Sequence, residues 1–315
     1  MTDKSFLKNL ENSQIDFKTD FDITNKSTMK IHSKTELFIT PKNFLQLKNA
    51  IEICKKQNVQ YFILGGGSNT IFPDTKFNGA IITTEQLNKI QIINQNPLLL
   101  NCSCGTSAAT LVNFCTQNAI SGLEEFAGLP GTIGGAIYMN ARCFEKSISE
   151  KIYETEHLEF SEESSQIIKN PYNPTQWAYK KSPFQNNSVK NPQKIILSAT
   201  FLLQQTSHEK IPLIRRKCKF YINERVSKGH FNYPSAGSVF KNNRDFKKPS
   251  GKLIEETGLK GSICGGAEIA SFHANFIINK NNATANDIKS LVKLAQNAVS
   301  KKFGFNLEPE ILFLE

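Results

Sequence analysis

Apolar residues at 44, 47, 50, 51 and 54 (Phe44, Leu47, Ala50, Ile51, Cys54) follow the i, i+3, i+4, i+7 spacing of an amphipathic helix, predicting one over residues 44–57. A short apolar run at 61–64 reads as a strand, and further β-like runs lie at 80–82, 90–93 and 98–104. Residues 107–119 return to helical spacing, with Ala108, Leu111, Val112, Cys115 and Ala119 on one face and Thr106 or Ser107 as the N-cap. Strands and helices therefore alternate through the first part of the chain.

Farther on, Asn170-Pro171-Tyr172-Asn173-Pro174 and Lys190-Asn191-Pro192 are loop signals that bracket the segment 179–184. A strand is expected at 194–203, and the charged stretch 204–210 reads as a boundary, which divides the chain into domains 1–204 and 205–315. The second part opens on a basic amphipathic helix over 213–225 and continues through a helix-like segment at 251–257 and a strand at 275–279. In the last helix Thr284 and Asp287 resemble a capping box. Ile288, Leu291, Val292, Ala295, Ala298 and Val299 form its buried face, and Gly304 stops it before a terminal strand at 311–314. No internal repeat and no low-complexity tract interrupts this order.

Two glycine-rich runs break the pattern. Gly65-Gly66-Gly67-Ser68-Asn69 follows the strand at 61–64, and residues 122–141 carry five glycines and a proline among apolar residues. Glycine admits positive φ and lets a ligand touch the main chain, and successive amides in such a turn form a nest for anionic oxygens such as those of a pyrophosphate. Each run also has a plainer reading, the first as a turn between strands and the second as a bulge or a tight helix–strand contact. Together they favour a ligand site for one long phosphorylated molecule.

The bulk numbers exclude several classes. A chain of 315 residues with 39% hydrophobic residues is globular and long enough for two domains. No apolar stretch approaches the roughly 20 residues of a membrane-spanning helix, and the first residues lack the apolar core of a secretory leader, so the cytoplasm is expected. The seven cysteines form an odd set without a Cys-x-x-Cys pair, which fits a reducing compartment. Cys102 and Cys104 would share one face of a strand, but nothing completes a zinc set, so packing roles are expected and no metal. The net charge of +10 comes from scattered lysines without a basic stripe interleaved with aromatics, and argues for no nucleic acid.

Taken in order, Gly65-Gly66-Gly67-Ser68-Asn69, Gly122-Leu123-Glu124, Ala127-Gly128-Leu129-Pro130-Gly131-Thr132-Ile133-Gly134-Gly135-Ala136, Pro234-Ser235-Ala236-Gly237-Ser238-Val239-Phe240-Lys241-Asn242, Ala274-Asn275-Phe276 and Glu308-Pro309-Glu310 make a set. The chain resembles the UDP-N-acetylenolpyruvoylglucosamine reductase family in these motifs, from about residue 28 onward. The resemblance implies an α+β protein: an FAD-binding domain of the vanillyl-alcohol-oxidase (PCMH) type, made of two α/β subdomains, followed by a smaller α+β substrate-binding domain. It is not a Rossmann site, since no Gly-x-Gly-x-x-Gly follows a first strand.

The resemblance further implies non-covalent FAD, NADPH as co-substrate and hydride delivery to UDP-N-acetylglucosamine enolpyruvate, giving UDP-N-acetylmuramate for the cell wall. Gly65, Gly66, Gly67, Ser68 and Asn69 would take the pyrophosphate. Gly128, Pro130, Gly131, Thr132, Gly134, Gly135 and Ala136 would run along the flavin and ribityl chain. Ser238 would donate the proton to the carbon beside the substrate carboxylate, an act that needs neighbours to favour a transient alkoxide. Glu310, preferred over Glu308, would assist at that carboxylate, because two carboxyl groups brought together share a proton and one can then donate a hydrogen bond. Where the family has Tyr-Arg-x-Ser this chain has Tyr179-Lys180-Lys181-Ser182, so Lys180, or else Lys181 or another base, supplies the cation without the planar fork of arginine. Tyr179, Tyr233, Lys241 and Asn242 are the expected substrate contacts. The chain departs from the family again at Arg142-Cys143-Phe144 and at His32-Ser33, and His273 stands either near the ligands or as a structural histidine. A flavin oxidase of the same superfamily and a non-catalytic FAD-binding protein are the alternative readings.

Overall fold

The structure, a computed structural model, describes residues 4–161, 164–185 and 189–314. Its contacts divide the chain into two units. The first comprises Met1–Thr19, Glu36–Gly66 and Gly79–Asn223, the second Asp20–Thr35, Gly67–Asn78 and Glu224–Glu315.

The first unit is built on two sheets, each with helices against it. One sheet has the strand order Asp16–Asp22, Lys34–Thr40, Lys76–Thr83, Tyr61–Leu64, the last two parallel with Tyr61 opposite Ala80. Three of its strands run on into segments of the second unit. Helix α1 (Lys4–Asn12) and helix α2 (Phe44–Lys56) bury Phe6, Leu10, Leu47, Ala50, Ile51 and Cys54 in a common apolar cluster with Leu37, Ile39 and Ile82. Asn43 starts α2 by accepting the Gln46 N–H at 2.9 Å. The other sheet is antiparallel, in the order Ser165–Pro171, Ile152–Phe160, Lys194–Gln205, Leu98–Ser103, Ile90–Gln95. Helix α3 (Ala108–Gln117), capped by Ser107, adds Leu111, Val112 and Cys115 to the same core. Helix α4 (Ile133–Tyr138) lies against Lys194–Gln205 and Leu98–Ser103. Helix α5 (Ile211–Ser227) contributes Ile214 and Cys218, while Leu213, Phe220, Ile222 and Val226 stay exposed, so its apolar side is far less covered than the periodicity suggested.

The second unit has one antiparallel sheet, ordered Ser235–Ser238, Phe276–Asn279, Ala267–Ile269, Ile263–Cys264, with helix α6 (Ser250–Glu256) and helix α7 (Ala285–Phe303). The face expected on α7 is buried at Ile288, Leu291, Val292, Ala295 and Val299, with Ala298 half-buried. Its ends follow local chemistry. Thr284 and Asp287 form a reciprocal capping box, and Gly304 leaves the helix at φ 73°. The terminal strand is the short Leu312–Phe313, parallel to Thr70–Ile71.

All seven cysteines are reduced, six of them buried. Burial pushes the thiols of Cys54, Cys102, Cys104 and Cys115 up to about 12, as expected of packing residues. Among the described residues no helix is long and apolar enough to cross a membrane.

The capping box gives α7 a measurable weak point. Thr284→Ala removes the acceptor of the Asp287 N–H, and should lower the opening free energy of the first-turn α7 amides by about 1 kcal/mol in native-state hydrogen exchange, with Thr284→Ser close to wild type.

Candidate active site

In the first unit the two glycine runs meet backbone to backbone. A Cβ on Gly66 would lie 2.5 Å from Gly131 Cα, and one on Gly65 would lie 2.5 Å from Thr132 Oγ1. Thr132 then caps α4 by accepting the Gly135 N–H at 3.4 Å. Within α4, Gly134 follows the packing alternative weighed for this run: its Cβ would sit 2.8 Å from Cys104 Cβ, and its N–H donates to Cys104 O at 2.8 Å. Side chains are absent here chiefly so that main chains can touch.

This close approach leaves donors behind. Among the described residues, the N–H groups of Gly65, Gly66, Gly128, Gly131 and Thr132 donate to no protein group. Gly66 and Gly135 are exposed, and Gly65, Gly128, Gly131 and Gly134 half-buried, so the main chain here is open to a ligand. Unsatisfied amides on two abutting turns suit a molecule bearing several anionic or carbonyl oxygens. The residues present therefore fit the phosphate and carbonyl oxygens of a cofactor such as FAD. Pro130 is exposed on the same turn, and Ala136 faces the core. Gly67 continues the first run in the second unit at φ 61°, where a Cβ would strike Lys26 O at 2.0 Å.

The Tyr179-Lys180 turn is stapled to the end of α4. Ala178 and Lys181 exchange main-chain bonds of 3.0 and 3.2 Å, putting Lys180 at the tip with φ 57°. Asn140 Nδ2 donates to Ala178 O at 2.8 Å, Ser182 Oγ to Tyr138 O at 2.7 Å, and Gln185 Nε2 to Tyr138 O at 2.8 Å and Lys180 O at 3.0 Å. Lys180 is half-buried, while Lys181 and Tyr179 are exposed.

The second unit gathers the other candidates. Ser238 ends the strand Ser235–Ser238, opposite Phe276, after Gly237 at φ 74° and a register shift that re-aims the strand end. Its hydroxyl is bonded to no protein group among the described residues, and the residue is half-buried. Val239 donates its N–H to Asn275 O at 2.8 Å and accepts the Glu310 N–H at 2.7 Å. Asn275, buried, also grips Phe240 with both ends of its amide, at 2.9 Å each. Ser238 and Glu310 thus stand on adjoining segments. Glu308 is engaged elsewhere, 2.6 Å from Lys241 Nζ and with its side chain 65% exposed, whereas Glu310 is buried. Asn242 Oδ1 accepts the Ser250 N–H at 2.9 Å, Tyr233 is exposed, and the Asn69 side chain donates to Glu310 O at 2.9 Å.

A family model described as the FAD binding domain matches residues 35–155, and one described as the UDP-N-acetylenolpyruvoylglucosamine reductase C-terminal domain matches residues 229–314. A protein of Treponema denticola called UDP-N-acetylenolpyruvoylglucosamine reductase is 42% identical, covering 91% of this chain and 90% of its own. The protein of that name from Borreliella burgdorferi is 39% identical over 93% of this chain and 92% of its own. The chain belongs to the UDP-N-acetylenolpyruvoylglucosamine reductase family. A solved structure of the Thermus caldophilus member superposes with a TM-score of 0.73 at 25% identity, covering 96% of this chain and 99% of that one. An FAD-binding domain followed by the family's C-terminal domain is the α+β arrangement that the motifs led us to expect.

Of the departures from the family's motifs, the one at Arg142-Cys143-Phe144 has a local structural account. There, Arg142–Cys143 and Lys146–Ser147 form a tight hairpin with Phe144 and Glu145 both at positive φ (46° and 68°). Phe144 packs against Tyr221 at 4.6 Å, and Arg142 pairs with Glu145 at 2.5 Å. Glu124 of the Gly122-Leu123-Glu124 motif serves structure. Burial alone would raise its carboxyl, but bonds from Ser121 Oγ at 2.6 Å and the Gly122 N–H at 2.8 Å hold it below the usual range. The sequence reading missed the brace role of Asn275, although it quoted the residue, and the staples of Asn140 and Gln185. Asn and Gln residues within or beside the motifs, each able to donate and accept, were the available signal.

His273 is engaged by the protein: its Nδ1 accepts the Asn275 N–H at 3.2 Å, and its ring packs against Phe276 and His230. Burial, then Arg225, holds His230 down at about 4, and burial lowers His273 as well. His230 therefore stays neutral in the native state while the unfolded chain takes up a proton from the ordinary value of 6.5 downward. Stability should therefore fall as the pH falls, by up to about 1.4 kcal/mol per unit from His230, between about pH 6.5 and 5. Urea midpoints measured across that window should slope less steeply in His230→Gln.

Proposed function

We propose that the chain is an FAD-dependent reductase that takes hydride from NADPH and reduces UDP-N-acetylglucosamine enolpyruvate to UDP-N-acetylmuramate, a peptidoglycan precursor, in the cytoplasm. The observation that carries this reading is the likeness, over nine-tenths of the chain, to relatives bearing the reductase name. Nothing observed favours an oxidase or a non-catalytic protein.

Bound FAD supplies a carrier that accepts hydride from NADPH and passes it to the vinyl methylene carbon. The chain's part is to bind, orient and protonate. The open amides of Gly65, Gly66, Gly128, Gly131 and Thr132 would hold the cofactor's oxygens without a covalent bond. After the methylene carbon gains hydride, negative charge develops on the adjacent carbon and spreads into the carboxylate. That charge needs preorganised donors. Lys180, at the tip of its stapled turn, offers the cation, and Glu310 offers a hydrogen bond to the carboxylate. Ser238 Oγ gives its proton to the carbanionic carbon, its hydroxyl being uncommitted within the described protein and its main chain fixed by the segment that follows. Solvent then restores the serine proton. Tyr179, Tyr233, Lys241 and Asn242 complete the substrate contacts, Lys241 with a charge that Glu308 balances in the free protein. In this reading residues 1–204 serve the cofactor and residues 205–315 the substrate.

The test is a yellow protein whose flavin is reduced by NADPH and reoxidised anaerobically by the enolpyruvyl substrate in stopped flow; reduction without that reoxidation defeats the reading. Ser238→Ala should leave reduction by NADPH within about twofold and slow reoxidation by a factor on the order of 100 or more. Equal losses in both half-reactions would remove Ser238 from the donor role. Lys180→Arg should match or exceed the wild-type reoxidation rate, since a guanidinium grips a carboxylate through two parallel bonds.

A further inference from the structure

Glu310 has both of its main-chain polar groups engaged by named partners. Its N–H donates to Val239 O at 2.7 Å, one residue after Ser238. Its C=O accepts from Asn69 Nδ2 at 2.9 Å, across 241 positions of sequence. Asn69 also offers its own C=O to the Leu312 N–H at 2.9 Å, and the parallel pairing of Leu312 with Thr70 begins next to it. Asn69 therefore spans residues 310 and 312 as a strand neighbour would, with its side-chain amide standing in for a peptide N–H where the ladder ends.

We propose that Asn69 is a positioning residue for Glu310, and that its side chain serves the acid and not the cofactor. The inference rests on the role given to Glu310 above. A carboxyl that must meet one substrate carboxylate tolerates little displacement, and a carbonyl fixed on one side with an N–H fixed on the other limits rotation of the peptides flanking its Cα. The Asn69 amide supplies one of those two restraints. Because Asn69 directly follows Ser68, the turn whose main chain is assigned to the cofactor ends on the residue that aims the acid. A glycine or serine at this position would keep the turn and lose the restraint.

The experiment uses the FAD-loaded enzyme and the variants Asn69→Ala and Asn69→Asp, the second keeping side-chain volume while losing the donor. FAD affinity, flavin reduction by NADPH and flavin reoxidation by the enolpyruvyl substrate are measured separately. FAD affinity and reduction within about twofold of wild type, with reoxidation slowed about ten- to a hundredfold, is the expected result. Weakened FAD binding in Asn69→Asp, equal slowing of both half-reactions, or unchanged reoxidation in both variants would overturn the proposal. If Asn69→Ala does not fold, Asn69→Asp decides by the same criteria. Wild-type enzyme that the substrate fails to reoxidise would defeat the functional reading itself, an outcome distinct from wild-type turnover with unaffected variants.

Discussion

The second unit turns on one peptide. Val239 gives its N–H to Asn275 and takes the N–H of Glu310 on its C=O, so three segments far apart in sequence meet at a residue without chemistry of its own. Ser238 precedes it, and Glu310 is bonded to it. Main-chain hydrogen bonds are short and directional, and buried ones are costly to leave unmade, which makes this peptide a firmer reference than any side-chain contact. Asn275 extends the same logic by presenting its amide to Phe240 as though it were another strand.

In the first unit the controlling constraint is steric. Gly66 against Gly131 and Gly134 against Cys104 are approaches that a single methyl group would block. Bringing two turns this close leaves several amides without protein partners while keeping them at the surface. Packing and ligand binding are therefore not competing explanations of these glycines. The same absence of side chains that admits the neighbouring main chain exposes the donors an anionic cofactor needs.

Lys180 stands at the tip of a turn held from one side. The turn that carries it is tied to the carbonyl of Tyr138 by two side chains and to Asn140 by a third. A rigid base partly offsets the flexibility of a four-carbon stem ending in a point charge. The hairpin at Arg142 to Ser147 is a comparable adjustment, with non-glycine residues held at positive φ by pairing on both sides.

Local periodicity and local chemistry were legible in the sequence. The strand Tyr61–Leu64, helix α2, the Ser107 cap of α3 and the capping box and Gly304 stop of α7 all depend on residues within a few positions of one another. The motif set also disclosed the family and its FAD-binding domain, since motifs preserve order along the chain. Helix α1 and the strands Asp16–Asp22 and Lys34–Thr40 were passed over, because short or weakly alternating segments gain their structure from neighbours. Helix α4 was hidden inside a glycine run whose intrinsic propensity opposes it and which only contacts with the sheet stabilise. The motif placed Asn69 in the turn expected to take the pyrophosphate, and only tertiary structure, by closing 241 positions of chain into one hydrogen bond, pairs its side chain with Glu310. Pattern along a sequence reports what each segment can form by itself, whereas the partner of a polar side chain is decided by whichever distant main chain the fold brings within 3 Å.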